Sequence, residues 1–298
     1  MKVAVTGSSG LVGSALAPYL TAGGHEVVRI VRRPARGADE MSWDPSEKSL
    51  DSTALRGIDA VVHLAGESIA GGRWNAEKKR RIRDSRVDGT RLLAEALAAA
   101  EEGPRVFVCA SAIGYYGSRG AEILTEASAA GRDFLADVCR EWEAAADPAR
   151  AAGVRVVHLR FGMILDPAGG ALAKMLTPFK LGAGGRIGDG RQYWSWIARD
   201  DVLDVVLRAL TQDDLAGPVN TVSPNPATCG EFTKTLGRVL SRPTIFPMPA
   251  FAARLAFGEM ADALLLASQR VVPQRLQRSG HRFRHPELEA ALRHMLGR

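Results

Sequence analysis

The chain has few cysteines and no long apolar run, and these two features argue against a disulfide-rich protein and against a membrane-spanning one. Three cysteines occur among 298 residues, and none stands in a C-x-x-C pair. A disulfide framework or a structural zinc site is therefore not expected. No stretch of 18 uncharged apolar residues is present, so no membrane helix and no membrane partner are predicted. The first residues form a strand-like run instead of a signal peptide, which predicts a cytoplasmic protein.

Aromatic residues are also scarce, and they do not alternate with the basic residues. They make up 6% of the chain, whereas a single-stranded nucleic-acid platform needs aromatics to stack bases. The basic run at residues 78–81 is interpreted as a solvated helix face, with a nucleic-acid-binding module as the alternative. The six histidines show no metal-ligand spacing, so no metal site is predicted. The net charge of +6 suits an anionic ligand.

Strand-like and helix-like segments alternate along most of the chain. Predicted strands cover residues 2–6, 26–31, 59–65, 105–110, 154–160 and 218–222, and predicted helices cover residues 11–22, 76–100, 134–152 and 200–210. This order is typical of an α/β protein with a Rossmann-type doubly wound parallel sheet. We expect residues 1–160 and 198–222 to form the Rossmann domain. A smaller C-terminal substrate lobe is expected from residues 161–197 and 223–298.

A glycine-rich loop joins the first predicted strand to the first predicted helix. Glycines stand at positions 7, 10 and 13. In a dinucleotide fold they permit a tight turn, the approach of a pyrophosphate, and close packing of helix on strand. The helix N-terminus adds free N–H groups for the phosphates. We therefore predict that this segment binds a dinucleotide through Gly7, Ser9, Gly10, Leu11, Val12 and Gly13.

The end of the second predicted strand distinguishes NADP from NAD. NAD-binding sites usually carry Asp or Glu there, and the carboxylate binds the ribose 2′-hydroxyl. This chain has Arg32 and Arg33 instead. A guanidinium binds a 2′-phosphate well, so NADP is the predicted cofactor, with Arg32 as its ligand. The alternative is that both arginines only cap a surface strand.

Several further motifs resemble the extended short-chain dehydrogenase/reductase superfamily. The T-G-x-x-G-x-x-G loop fits that superfamily, and residues 59–66 are similar to its D-x-V-x-H-L-A segment, which lies against the cofactor. The resemblance implies that Leu64, Ala65 and Gly66 contact the dinucleotide. Residues 87–90, 195–197 and 200–202 match other landmarks of the superfamily.

A narrower resemblance is to the atypical 39U-type branch of epimerase-family proteins. It rests on Gly66-Glu67 with Arg73-Trp74-Asn75, and on residues 178–185. Residues 258–260, 272–276 and 283–287 are similar to the small C-terminal domain of unknown function in that branch. This resemblance covers nearly the whole chain and implies NADP binding, without implying a substrate.

The catalytic pattern of the superfamily is not present. Its members use Asn, Ser or Thr, and a Y-x-x-x-K pair, in which Lys lowers the pKa of Tyr. None of the four tyrosines here has Lys four residues later. Counting from Glu143, which fits the usual trailing acid, places Leu135 at the tyrosine position and Cys139 at the lysine position. Leu135 cannot transfer a proton, and Cys139 is interpreted as a packing residue.

Three polar residues remain as candidates near the expected nicotinamide. Ser111 and Tyr116 follow a predicted strand, and we predict that they are catalytic, with a hydrogen-bonded loop as the alternative. Arg86 replaces the usual Asn, and it is predicted to contact the cofactor or an anionic substrate. The glycine-rich segment 182–190 is interpreted as either a lid or a connecting loop.

Two functions follow from these observations. The first is an NADP-dependent oxidoreductase or epimerase-like enzyme acting on a small molecule, and the sequence leaves open whether that substrate is anionic. The second is a catalytically silent NADPH-binding sensor or interaction protein, which the missing Tyr and Lys favour. The sequence specifies neither the substrate nor the oligomeric state.

Overall fold

The computed structural model describes all 298 residues, and it has thirteen strands and ten α-helices. The strands are β1 (Lys2–Thr6), β2 (Glu26–Val31), β3 (Glu40–Ser42), β4 (Ala60–His63), β5 (Val106–Ala112), β6 (Ile123–Leu124), β7 (Arg155–Phe161), β8 (Met163–Asp166), β9 (Tyr193–Trp194), β10 (Trp196–Ala198), β11 (Gly217–Thr221), β12 (Ala227–Thr228) and β13 (Arg270–Val271). The helices are α1 (Gly13–Ala22), α2 (Ala76–Ala99), α3 (Phe134–Ala144), α4 (Asp147–Ala151), α5 (Gly170–Lys180), α6 (Arg199–Thr211), α7 (Cys229–Leu240), α8 (Ala250–Phe257), α9 (Gln274–Arg278) and α10 (Leu288–Leu296).

Seven strands form one sheet in the order β11-β7-β5-β4-β1-β2-β3, and all of its neighbours are parallel. The predicted Rossmann-type α/β fold is therefore confirmed. The strand order reverses direction between β1 and β4, whose last residues, Thr6 and His63, lie in register. Ligands of such sheets bind beyond the carboxyl ends of the strands at this reversal. The glycine-rich loop follows β1 at that point.

The sheet is covered on both faces because successive side chains of a strand point to opposite sides. Val3 and Val5 belong to one buried cluster, together with Leu16 of α1 and Val206 of α6. The residue between them, Ala4, belongs to the cluster on the other face, which α2 and α4 cover. These two clusters fix the position of β1 and of the loop that follows it.

A separate apolar core lies in the C-terminal part of the chain. It is formed by α5, α7 and α10, through residues such as Leu172, Phe232, Leu236 and Leu292. The 161–197 and 223–298 division stays a prediction. Part of the C-terminal segment also contacts the first core, since Leu276 of α9 packs there.

The prediction of one helix over residues 134–152 was wrong in its extent. The structure has α3 and α4 there, separated at Ala145–Ala146. Pro148 lies in the first turn of α4, where its missing N–H costs no helical hydrogen bond. A continuous helix would have placed the proline ring against the preceding turn.

Several elements had not been predicted, among them β3, α5 and α7. Strand β3 spans three residues at the sheet edge, too few for a periodic pattern. Helix α7 did carry a recognisable signal. The side chains of Thr228 and Glu231 form a reciprocal capping box at its start. That S/T-x-x-E pattern is visible in the sequence before an apolar run.

Candidate functional site

The turn after β1 depends on the absence of a side chain at Gly7. Its φ is +67°, a conformation that favours glycine. A methyl group there would lie 2.8 Å from the backbone nitrogen of Ala65 and 2.8 Å from the carbonyl carbon of Leu64. The loop thus passes directly over the residues that follow β4. Gly7 is required by the fold itself, before any ligand is considered.

Gly13 and Gly10 have different roles. A methyl group at Gly13 would lie 2.2 Å from the carbonyl oxygen of Gly7, so helix α1 packs on the turn only without a side chain. A methyl group at Gly10 would meet only the same oxygen, at 3.2 Å. Gly10 and Ser9 are exposed, and no side chain caps the N-terminus of α1 at Val12. The N–H of Gly10 donates to the carbonyl oxygen of Gly7, at 2.9 Å, and the N–H groups of Ser9, Leu11 and Val12 remain open to an anion.

Thr6 joins the ends of β1 and β4. Its Oγ1 accepts hydrogen bonds from the backbone nitrogens of Leu64 and Ala65, at 3.1 and 3.2 Å. It lies 2.7 Å from Nδ1 of His63, so the hydroxyl donates to that nitrogen. Burial, together with the neighbouring Arg86 charge, lowers the pKa of His63 to about 3. His63 is a neutral structural residue that holds the 64–66 stretch in place.

The two arginines after β2 are used differently. Arg33 forms two hydrogen bonds of 2.6 Å with the carboxylate of Glu40, whose side chain is 3% exposed. Arg32 is exposed, and its side chain makes no hydrogen bond or ion pair within the protein. Arg33 thus fits the alternative role of capping the strand, because its partner Glu40 belongs to the neighbouring strand β3. Arg32 remains available for a ligand at the cofactor edge of the sheet.

Arg86 lies beside Gly66 and holds the loop after β4. One terminal nitrogen donates to the carbonyl oxygens of Ile82 and Glu67, at 2.9 and 3.0 Å. Its guanidinium carbon lies 5.1 Å from the centre of the Trp142 ring, within range of a cation–π contact. The other guanidinium nitrogens make no hydrogen bond to protein. Arg86 thus positions Gly66 and keeps part of its guanidinium free.

Glu67, which the sequence analysis did not assign to the site, is the centre of a polar cluster in the same loop. The ammonium of Lys78, which is buried, lies 2.5 Å from its carboxylate and lowers the pKa of Glu67. Ser85 accepts a hydrogen bond of 3.0 Å from the backbone nitrogen of Glu67. The loop from Gly66 to Asn75 is thus anchored on α2, which Asn75 caps.

Ser111 and Tyr116 belong to one buried hydrogen-bond network. Ser111 donates to Glu143, at 2.7 Å, and Glu143 accepts two hydrogen bonds of 2.7 Å from Arg160. Arg160 also donates to the hydroxyl of Tyr116, at 3.0 Å, and that hydroxyl donates to Asn220, at 2.6 Å. Every polar atom of both candidates is therefore occupied within the protein.

This network does not support the predicted catalytic roles of Ser111 and Tyr116. Tyr116 has no exposed surface and Ser111 is 2% exposed. Burial raises the pKa of Tyr116 to about 12, even though Arg160 acts in the opposite direction. The geometry corresponds to the hydrogen-bonded alternative. Residue type and position pointed to the nicotinamide edge, but the sequence did not show that Glu143 and Arg160 would take both hydroxyls.

The positions of the missing Tyr and Lys are occupied by packing groups. Leu135 and Cys139 lie on α3 and face Gly114. A methyl group added at Gly114 would lie 3.3 Å from the Leu135 side chain and 3.8 Å from the Cys139 sulfur. Burial raises the pKa of the Cys139 thiol to about 12. The thiol is thus uncharged at neutral pH, and neither residue can act as a base.

The glycine-rich segment 182–190 is held by backbone contacts. Gly188 donates to Met248, and Met248 donates to Arg186, at 2.9 and 2.8 Å. A methyl group at Gly185 would lie 1.7 Å from the carbonyl oxygen of Phe246. These contacts correspond to the connecting-loop alternative rather than to a lid. Arg186 lines an adjacent cavity of about 500 Å³ with Lys234, Asp189 and Glu231.

Comparison with family models gives two matches along the chain. Residues 3–222 match the NAD dependent epimerase/dehydratase family. Residues 248–295 match a domain of unknown function, DUF1731. The first match spans the parallel sheet and the glycine-rich loop. The second begins at Met248 and includes α8, α9 and all of α10 except its last residue. No helix of the structure is both long and apolar enough to cross a membrane.

Similar proteins cover almost the full chain. An epimerase family protein of Mycobacterium bovis is 45% identical over 290 residues, which are 97% of this chain and 96% of that protein. The crystal structure of human epimerase family protein SDR39U1 with NADPH is 35% identical, with a TM-score of 0.91, and covers 100% of this chain and 99% of that one. A nucleoside-diphosphate sugar epimerase from Corynebacterium glutamicum is 42% identical, with a TM-score of 0.83, covering 100% of this chain and 58% of that one.

Proposed function

This chain belongs to the NAD dependent epimerase/dehydratase family, and on that premise we propose that it binds NADPH. The observation that carries the proposal is the open glycine turn with a free Arg32 at the same edge of the sheet. Gly10 and the N-terminus of α1 would receive the pyrophosphate, and Arg32 would receive the 2′-phosphate. The human relative, solved with NADPH, supports this assignment.

The residues after β4 would complete the site. Leu64, Ala65 and Gly66 lie beside the turn, and Thr6 and Arg86 hold them there. The free nitrogens of Arg86 would face the cofactor or an anionic part of a small-molecule substrate. NADPH would supply a hydride when bound. The chain's own residues would orient its nicotinamide at the ends of β4 and β5.

Gly10→Val provides the direct test, because a side chain there would meet one backbone oxygen at 3.2 Å, whereas at Gly7 and Gly13 it would lie 2.8 and 2.2 Å from backbone atoms. The valine should leave the fold intact and block the approach of the pyrophosphate. Isothermal titration with NADPH should show at least a tenfold loss of affinity. Circular dichroism should give an unchanged spectrum. Unchanged affinity in the folded variant would contradict the proposed site.

The chemistry of the bound cofactor is the second part of the proposal. We propose an oxidoreductase or epimerase-like activity that does not use the superfamily's Tyr and Lys. The alternative is an NADPH-binding sensor without catalysis, and the burial of Ser111 and Tyr116 favours it. General-base assistance contributes about 10²–10⁴ in rate, so ordinary turnover of nucleotide sugars is not expected.

Two measurements separate these functions. The loss of NADPH absorbance during incubation with a panel of carbonyl compounds would reveal reduction. Amide hydrogen exchange measured with and without NADPH would reveal a surface segment whose protection changes when the cofactor binds. Turnover with any carbonyl compound supports the enzyme. No turnover, with a change in exchange far from the cofactor, supports the sensor.

A further inference from the structure

We propose that Asp200, His285 and His294 form a binding site for a divalent transition-metal ion, with zinc as the expected metal. Asp200 lies in the first turn of α6, His285 precedes α10, and His294 lies in the last turn of α10. One possible ligand atom from each side chain lies within 4.8 Å of the other two. No part of the dinucleotide site contributes to this cluster.

The distances suit tetrahedral coordination. Two ligands bonded to zinc at about 2.05 Å lie about 3.3 Å apart across a tetrahedral angle. Nε2 of His294 and an oxygen of Asp200 are separated by 3.3 Å. Since no two of the three ligand atoms are more than 4.8 Å apart, any pair needs to approach by about 1.5 Å at most to reach this spacing. The His294 side chain is more than half exposed, and that of Asp200 is about one-third exposed, so both can rotate by this amount.

The two imidazoles lie close together but are stacked. Their ring centres lie 4.3 Å apart, with an angle of 25° between their planes. Because a metal ion lies in the plane of an imidazole that binds it, the exposed His294 ring must rotate out of the stack before both rings can bind one ion. The ring of His285 makes no hydrogen bond to the protein, and its nitrogens are not sealed from solvent. Its backbone nitrogen donates to Asp201, at 3.1 Å, which fixes the segment on α6. One ligand is therefore held in place without any use of its ring nitrogens.

The surrounding charges are compatible with a cation. Asp166 and Arg199 form an ion pair of 2.6 Å, which directs much of that guanidinium charge away from the cluster. Arg199 approaches Asp200 only at 4.0 Å. The C-terminal end of α10, where His294 lies, carries the negative end of the helix dipole. Two imidazoles with one carboxylate are a ligand set that zinc uses in proteins.

An open coordination position would face a cavity. A space of about 310 Å³ adjoins the cluster, and its walls include Asp166, Arg199 and Met295. Zinc sites with three protein ligands commonly hold water or a small ligand in the fourth position. The ion would also join α6 of the sheet domain to α10 of the C-terminal core.

The proposal is tested by titrating the full-length chain, first treated with a chelator, with zinc and with cobalt. We expect one zinc per chain, a higher thermal midpoint with added zinc, and visible absorption typical of tetrahedral cobalt. His294→Gln and Asp200→Asn should each weaken zinc binding at least about tenfold, because each removes one ligand. His25→Gln and Asp213→Asn serve as matched controls elsewhere on the chain and should bind as the parent does.

Three results would overturn the proposal. The parent could fail to bind zinc at one equivalent, in which case the 3.3 Å contact between His294 and Asp200 is a hydrogen bond only. The two ligand variants could bind zinc as tightly as the parent. The controls could lose binding as much as the ligand variants. NADPH affinity is an independent check that the variants fold correctly, since it should be the same in the parent, the two ligand variants and the two controls.

Discussion

Removing Arg32 should abolish most of the preference for NADPH over NADH. Arg32→Ala deletes a side chain that makes no hydrogen bond or ion pair within the protein, so little stability should be lost. A neighbour cannot easily replace it, because both terminal nitrogens of Arg33 are bonded to Glu40. The substitution therefore acts on the ligand and leaves the strand end unchanged.

The size of the effect follows from a single charged contact. A hydrogen bond to a charged group contributes about 1.5–3 kcal/mol, and about 1.4 kcal/mol corresponds to a tenfold change in affinity. Arg32 is exposed, where solvent and salt weaken such contacts, so the lower end of the range applies. We expect a loss of about tenfold in NADPH affinity and no change in NADH affinity.

Isothermal titration of both dinucleotides at low and moderate salt would measure this preference. Arg105→Ala is the matched control, because Arg105 is exposed and its side chain has no partner. It lies directly before β5, at the amino ends of the strands and away from the proposed cofactor site. The control should bind both cofactors as the parent does. Equal affinities of the parent for NADPH and NADH, or an unchanged ratio in Arg32→Ala, would refute the reasoning.

Two further predictions concern the buried groups near the site. Tyr116→Phe removes the hydrogen-bond partner of the Asn220 side-chain oxygen and of one Arg160 nitrogen, so the free energy of unfolding in urea should fall by about 1–3 kcal/mol while NADPH affinity stays unchanged. A tenfold loss of affinity would instead place the hydroxyl in the binding site. His63 should make the free energy of unfolding depend on pH. Its pKa is about 3 in the folded protein and about 6.5 in the unfolded chain, so between pH 3 and pH 6.5 only the unfolded chain binds the proton. Stability should fall by up to about 1.4 kcal/mol per pH unit from this group as pH drops from 6.5 toward 3, and His63→Gln should remove that part of the slope.

The dinucleotide loop shows which features could be predicted from the sequence. Gly7, Gly10 and Gly13 have the spacing of a dinucleotide-binding turn, and a strand pattern precedes this turn while a helix pattern follows it. The parallel sheet followed from the alternation of such patterns. The sequence did not separate the three glycines by role. Only the backbone contacts at 2.8 and 2.2 Å show that Gly7 and Gly13 serve the fold, while Gly10 is open.

The polar residues at the strand ends could be located but not assigned. Tyr116 lies after β5 as predicted, whereas Ser111 lies within the last residues of that strand. Glu143 from α3 binds the hydroxyl of Ser111, and Arg160 from β7 binds the hydroxyl of Tyr116. The difference between Arg32 and Arg33 likewise depends on Glu40, in a strand too short to predict.

The sequence by itself determined the elements whose information is local, namely the glycine turn, the strand and helix pattern, and the absence of a Y-x-x-x-K pair. Only the tertiary structure decided which polar side chains remain free, since their partners come from distant segments. The same holds for Asp200, which lies far from His285 and His294 in sequence and meets them only in the folded chain. Long-range packing brings such groups together, and no short-range spacing records it.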